Sequence, residues 1–195
     1  MNPQQKPATD SRTFVYQVNG NDRITDLNEP WLDFARENRA EELTRRFVLN
    51  RMLWDFITGA EAKGFYQSIL DRVRTAGKRI SLPYRCDSPR ERRFMEMEII
   101  PVEQNGVRFE STIVRIERRN PTHVLDSTVE RRTSLIKMCS WCKKVFIPDE
   151  DGWFEIEEAI TMMPLITRPP YPDITHGICN ACYESIGQNL PSPNE

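Results

Sequence analysis

The chain has 195 residues, of which 38% are hydrophobic and 29% charged, and its formal charge is −2. It is too apolar for wholesale disorder, and its length allows one domain or two small ones. The near-neutral balance supplies no basic field for nucleic acid or an anionic membrane, and nothing in the sequence reads as a run of ~20 apolar residues spanning a bilayer.

Residues 1–10 are polar, lack the apolar run of a secretory signal, and read as a disordered tail, so a cytoplasmic protein is expected. Phe14, Tyr16 and Val18 then alternate with polar positions, which is strand period, and Asn19-Gly20-Asn21-Asp22 supplies a turn into a short strand at 23–27. A helix is expected from Pro30, carrying Trp31, Phe34 and Ala35. Phe65, Ile69, Leu70 and Val73 form the clearest helical stripe, and Gly77 is placed to end it. Ile80, Leu82 and Tyr84 alternate, as do Met95, Met97 and Ile99, and residues 107–116 are rich in β-branched side chains. Turns at Asp87-Ser88-Pro89 and Asn105-Gly106 imply antiparallel neighbours. Helices grouped between strand runs give an α+β fold, with a five-stranded antiparallel sheet and helices on one face.

Two stretches in this region resemble the PAS domain, a sensory fold. They are Asp26-Leu27-Asn28-Glu29-Pro30-Trp31-Leu32-Asp33-Phe34-Ala35 and Val48-Leu49-Asn50-Arg51-Met52-Leu53-Trp54-Asp55-Phe56-Ile57. In the second, Asn50 stands where many PAS domains have glycine, and asparagine tolerates positive φ. The resemblance implies a sensor that holds haem, flavin, a metabolite or nothing. His123 and His176 lie outside this region and no cysteine occurs between Arg46 and Ile57, which argues against histidine-ligated haem and flavin photochemistry. Trp31 and Trp54 read as core residues, and Cys86 as a small buried hydrophobe. The arginines around Asp87 read as a solvated hairpin, with an anion or partner contact as the alternative.

Residues 118–136 read as a connector, helical by the capping box Ser127-x-x-Glu130 and the stripe Val129, Thr133, Ile136. Residues 137–186 carry the strongest chemical signal: Cys139 and Cys142, then Cys179 and Cys182, each pair with C-x-x-C spacing. Two such pairs can surround one ion with four sulfurs, which suits structural zinc in a zinc-ribbon-like module. Reduced thiol pairs, a redox pair and an iron–sulfur cluster remain as alternatives. The 36 residues between the pairs exceed ordinary ribbon spacing and are expected to hold a hairpin near Asp151-Gly152, a short helix near 154–162 and a proline-rich loop at 168–172. His176 is expected to serve beside the ligand shell or in a loop, since four cysteines already fill the shell. Cys139-Ser140-Trp141-Cys142-Lys143-Lys144, Gly152-Trp153 and Thr175-His176-Gly177-Ile178-Cys179-x-x-Cys182 resemble a short cysteine module at the C-termini of bacterial PAS-containing signalling proteins. This implies a signalling context. Residues 187–195 read as a second disordered tail.

Residues 137–186 carry four basic and eight acidic side chains, so the module is acidic before any thiolate is counted. A phosphate-tracking surface needs the opposite, and a protein partner is favoured over nucleic acid. No P-loop, dinucleotide fingerprint or nucleophile elbow is present, and no catalytic residue is expected. The reading is therefore a non-catalytic regulatory protein with a PAS-like sensor at 11–117, able to pair with a second copy, and an independently folded zinc module. Its rivals are a nucleic-acid-binding regulator using the zinc module with Arg118, Arg119, Arg131 and Arg132, and a thiol-redox sensor.

Overall fold

The computed structural model describes residues 11–191, so the tail expected at 1–10 and the last four residues of the other tail lie outside the described residues. The first sheet comprises β1 (Thr13–Val18), β2 (Ile24–Leu27), β3 (Ile80–Arg85), β4 (Glu91–Val102) and β5 (Gly106–Arg118). Its order is β2-β1-β5-β4-β3, antiparallel throughout. The alternation seen in sequence sets its faces. Val18, Leu82, Met97, Ile99, Val107 and Phe109 turn inward and are buried. Arg108, Glu110, Thr112 and Val114 on β5 lie on the outer face and stay partly or fully exposed. This is the α+β sheet that the PAS resemblance implied.

Helices cover the inner face. Helix α1 (Glu29–Glu37) starts at Asn28, whose side chain accepts from the backbone N–H of Trp31 and also of Val15, locking the helix to β1. After α2 (Arg45–Val48), Asn50 takes φ 65°, the backbone demand that glycine meets in the resembled motif. A 3₁₀ turn at Leu53–Asp55 follows, and Trp54 donates to Asp22 Oδ2 at 2.9 Å. Helix α3 (Ala60–Ala76) buries Phe65, Ile69, Leu70 and Val73 against the sheet and ends at Gly77, which is left-handed at φ 62°. The β4–β5 turn places Gln104 and Asn105 at φ 56° and 58°, the pair of positive angles that matches hairpin twist.

The connector differs from expectation. In place of a capped helix it holds a 3₁₀ turn at His123–Leu125 and then β6 (Arg131–Cys139). Ile136 and Met138 are both buried, so the period that prevails is two, and pairing to a later strand settles it. Strand β6 sits inside a four-stranded sheet ordered β8-β7-β6-β9, with β7 (Val145–Ile147), β8 (Gly152–Phe154) and β9 (Tyr171–Gly177). The β7–β8 hairpin falls at the expected Asp151-Gly152, and α4 (Ile156–Met162) is the expected short helix. The proline-rich stretch is a loop only up to Tyr171, where β9 begins. β6 and β9 run parallel, a pairing that requires a crossover, and β7, β8 and α4 supply it. Helix α5 (Asn180–Asn189) carries the chain three residues into the segment read as tail.

The second region has its own small core, in which Ile136, Met138, Val145, Ile147, Ile156 and Ala159 pack together. Its cysteine end does not stand apart, however. Cys139, Trp141, Cys179 and Ile186 belong to the same buried cluster as Phe65, Leu70 and Leu82 of the first region. The two regions therefore share one buried cluster at this end. Close approach at the start of α3 reinforces the docking: Gly59 has φ 87°, and a Cβ there would lie 2.1 Å from the His176 carbonyl oxygen. Gly59→Ala is expected to destabilise the protein by about 2 kcal/mol or more, through strain and displacement of β9. Urea unfolding measures this, and a variant as stable as the parent would refute the contact.

Candidate metal centre

Each sulfur is placed by the end of a regular element. Cys139 closes β6, and the chain turns back through Ser140–Lys143 into β7. The Lys143 N–H donates to the Cys139 carbonyl at 3.1 Å, and the Cys139 N–H donates to the Lys144 carbonyl at 2.8 Å. Lys143 occupies φ 62° to make this turn, and its ammonium donates to the Ser140 carbonyl at 2.7 Å. The second pair sits where β9 gives way to α5: Cys179 is the helix N-cap and Cys182 lies in the first turn. The parallel register Cys139↔Gly177 brings the two turns together, and the Ser140 N–H donates to the Gly177 carbonyl at 2.8 Å.

All four sulfurs lie within 4.8 Å of one another, and Cys142 Sγ is 3.7 Å from Cys179 Sγ. A tetrahedral zinc with Zn–S near 2.3 Å requires sulfurs about 3.8 Å apart. The donor set therefore fits a tetrahedral, thiolate-binding ion with small adjustments. Backbone N–H groups also point at sulfur: Cys179 N–H to Cys139 Sγ and Cys182 N–H to Cys179 Sγ, both at 3.4 Å. Such donors favour the thiolate form.

Four thiols this close cannot ionise independently. Hydrogen bonding from Cys142 and Cys182 drives the Cys139 thiol far below the ordinary range. The same contact with Cys139 pushes Cys142 up to about 12, and Cys182 rises further for the same reason. A cation bound among the four sulfurs would favour the thiolate form at each of them.

Trp141, inside the first C-x-x-C, fastens this cluster to the first region. It is 3% exposed, and its ring centroid lies 5.3 Å from Tyr66 and 6.2 Å from both Phe65 and Tyr84. Its indole N–H donates to the Pro83 carbonyl, while its own carbonyl accepts from the Arg85 N–H at 2.8 Å. β3 is a sheet edge, which is where a proline without an N–H is tolerated, and Trp141 covers that edge. Tyr16, Tyr66 and Tyr84 share the interior behind it, where burial pushes their hydroxyl pKa values up and keeps them neutral.

The arginine-rich turn is not the solvated hairpin expected. Arg85 and Asp87 have side chains only 8% and 3% exposed, and Arg119 only 7%. Arg85 Nη1 donates to Glu155 at the head of α4 at 2.8 Å, Arg92 Nη2 to Glu157 at 2.8 Å, and Arg119 Nη1 to Asp87 at 3.2 Å and Glu157 at 3.3 Å. Three arginines thus meet three carboxylates across the seam between the two regions. Burial disfavours the Arg85 charge, but Asp87 and Glu155 outweigh it and hold the guanidinium protonated. The sequence signal was arginine density beside a turn. Asp87 lies in that turn itself, but Glu155, 70 residues from Arg85, and Glu157, 65 from Arg92, carried no signal.

The remaining singled-out residues fall as follows. His176 lies outside the group of four sulfurs, with its Nδ1 2.9 Å from Thr58 Oγ1, and burial lowers its pKa. Cys86 is partly buried beside Phe14, Met95 and Ile113. Trp31 and Trp54 pack against the core. Among the connector arginines, Arg119 serves the seam and Arg131 donates to the Pro172 and Asp126 carbonyls at 2.8 Å each. Among the described residues, no helix is long and apolar enough to cross a membrane.

No protein-family model matches the chain, and no curated protein matches it in sequence. Solved structures similar to it include a domain of HTR-like protein from Haloarcula marismortui ATCC 43049, 14% identical, covering 52% of this chain and 96% of that one with a TM-score of 0.37. Another is the PAS domain of HTR-like protein from Haloarcula marismortui, 14% identical, covering 54% of this chain and 89% of that one with a TM-score of 0.34.

Proposed function

We propose that the chain is a non-catalytic cytoplasmic regulator, in which a PAS-like sensor is welded to a structural zinc site formed by Cys139, Cys142, Cys179 and Cys182 and the acidic second region contacts a protein partner. The observation that carries this reading is Trp141, a ring held between two of the candidate ligands and packed into the sensor core. A change in the packing of Tyr66 or Tyr84 bears directly on the turn that presents Cys139 and Cys142. Zinc bound there would supply cohesion and no reaction, because four sulfur ligands leave no position for a reacting water. The chain's own residues do the rest. The backbone N–H groups hold charge on sulfur, Trp141 closes the sheet edge, and the arginine–carboxylate seam ties the two regions together.

Protein contact is preferred to nucleic acid because Arg119 and Arg131 are engaged within the chain, while the second region is acidic. The half-exposed outer face of the first sheet is left for a second copy.

Elemental analysis of the purified chain is expected to give one zinc per chain and a colourless solution, with cobalt substitution producing the absorption of a tetrahedral sulfur site. Visible absorption from iron, or absence of any metal, would overturn the centre. Salt-dependent binding to DNA or RNA would overturn the preference for a protein partner.

A further inference from the structure

We propose that the groove beside the cysteine cluster is a modification site, where an alkyl hydroperoxide oxidises Cys142 and Cys179 to a disulfide and releases the ion. The inference rests on the zinc reading above. The groove has a volume of about 340 Å³ and runs between β3 and α5. Leu82, Phe94, Trp141 and Ile186 make its walls apolar, and Cys142, Cys179 and Cys182 line it. Cys139 does not line it, so the groove leads to three sulfurs of the four. That arrangement is unnecessary for a closed structural site. An apolar approach to sulfur favours an oxidant with a hydrocarbon body over one that is small and strongly hydrated. Lys144 lines the same groove and places a cation where negative charge develops as the peroxide bond breaks.

The chemistry balances without a further reagent. The Cys142 sulfur, half-exposed in the groove, attacks the outer oxygen of the hydroperoxide. The O–O bond breaks, an alkoxide departs and takes a proton from water to become the alcohol, and Cys142 is left as a sulfenic acid. The Cys179 sulfur, 3.7 Å away, then attacks the Cys142 sulfur. The S–S bond forms and hydroxide leaves, to be protonated to water. Two thiolates have given up two electrons, the peroxide has accepted them, and the ion retains two ligands of four. Trp141 is the neighbour of Cys142 in sequence, so the rearrangement reaches the sensor core.

The test uses the full zinc-loaded chain, with metal content measured first. Cumene hydroperoxide and hydrogen peroxide are compared at equal concentration, zinc release is followed with a chromogenic chelator, and disulfides are mapped by tandem mass spectrometry. Release at least tenfold faster with cumene hydroperoxide, with a Cys142–Cys179 disulfide as first product, is expected. Ala181→Trp and Ser185→Trp, at exposed positions of α5 that line the groove, should each retain zinc and abolish the preference. Equal rates for the two peroxides, a first disulfide containing Cys139, or an undiminished preference in both variants would overturn the proposal. Absence of zinc before oxidation would overturn the centre and the proposal together, and the initial metal analysis separates that failure from the others.

Discussion

Cys139→Ser combined with Cys179→Ser is expected to abolish metal binding and to unfold the second region while also loosening the first. Both sulfurs are buried, and both belong to the cluster that includes Phe65, Leu70 and Leu82. Structural zinc contributes on the order of 10 kcal/mol to the folding of small domains. That is comparable to the whole stability of an ordinary protein, roughly 5–15 kcal/mol. The second region's own core and the arginine–carboxylate seam offset only part of such a loss. The measurements are metal content, thermal unfolding followed in the near ultraviolet, and the same melt of the parent after chelation. Parent and variant should then coincide. A first region that melts unchanged would show that the core is not shared, and unchanged metal content would dismiss these cysteines as ligands.

Trp141→Ala should destabilise the chain by about 3–5 kcal/mol, the range for deleting a buried large aromatic. The loss combines the packing against Phe65, Tyr66 and Tyr84 with the hydrogen bond to Pro83. Trp141→Phe keeps most of the packing and should cost nearer 1 kcal/mol for the bond alone, plus a small cavity term. Urea unfolding distinguishes the two. Zinc should stay bound in both variants under native conditions, because the ligand set is intact. An alanine variant with less than about 1 kcal/mol of loss would mean that the ring is not the anchor between the regions.

The first sheet was readable because each strand declares its own inward face. Phe14/Tyr16/Val18, Ile80/Leu82/Tyr84 and Met95/Met97/Ile99 alternate, and the turns between strands carry Asn, Gly or Pro. The positive φ of Asn50 was likewise local, a property of one residue in one motif. The connector was misread because Val129, Thr133 and Ile136 satisfy a helical spacing, whereas Ile136 and Met138 satisfy a strand. Short apolar runs fit both periods, and only the partner strand β9 decides between them.

Cysteine spacing by itself established that two pairs of sulfurs were available, and composition established that the segment bearing them is acidic. The spacing also led to the expectation that the pairs meet around one ion, but neither could tell which strand pairing brings them together, that Trp141 covers the edge of the first sheet, or that Arg85 and Arg119 are buried beside Asp87, Glu155 and Glu157. Those facts depend on a parallel strand pairing across more than thirty residues and on a seam joining positions some 70 apart. Periodicity and turn chemistry act over a few residues and are written into them. Long-range register is selected by the burial it achieves, a property of the assembled chain and of no single stretch of it.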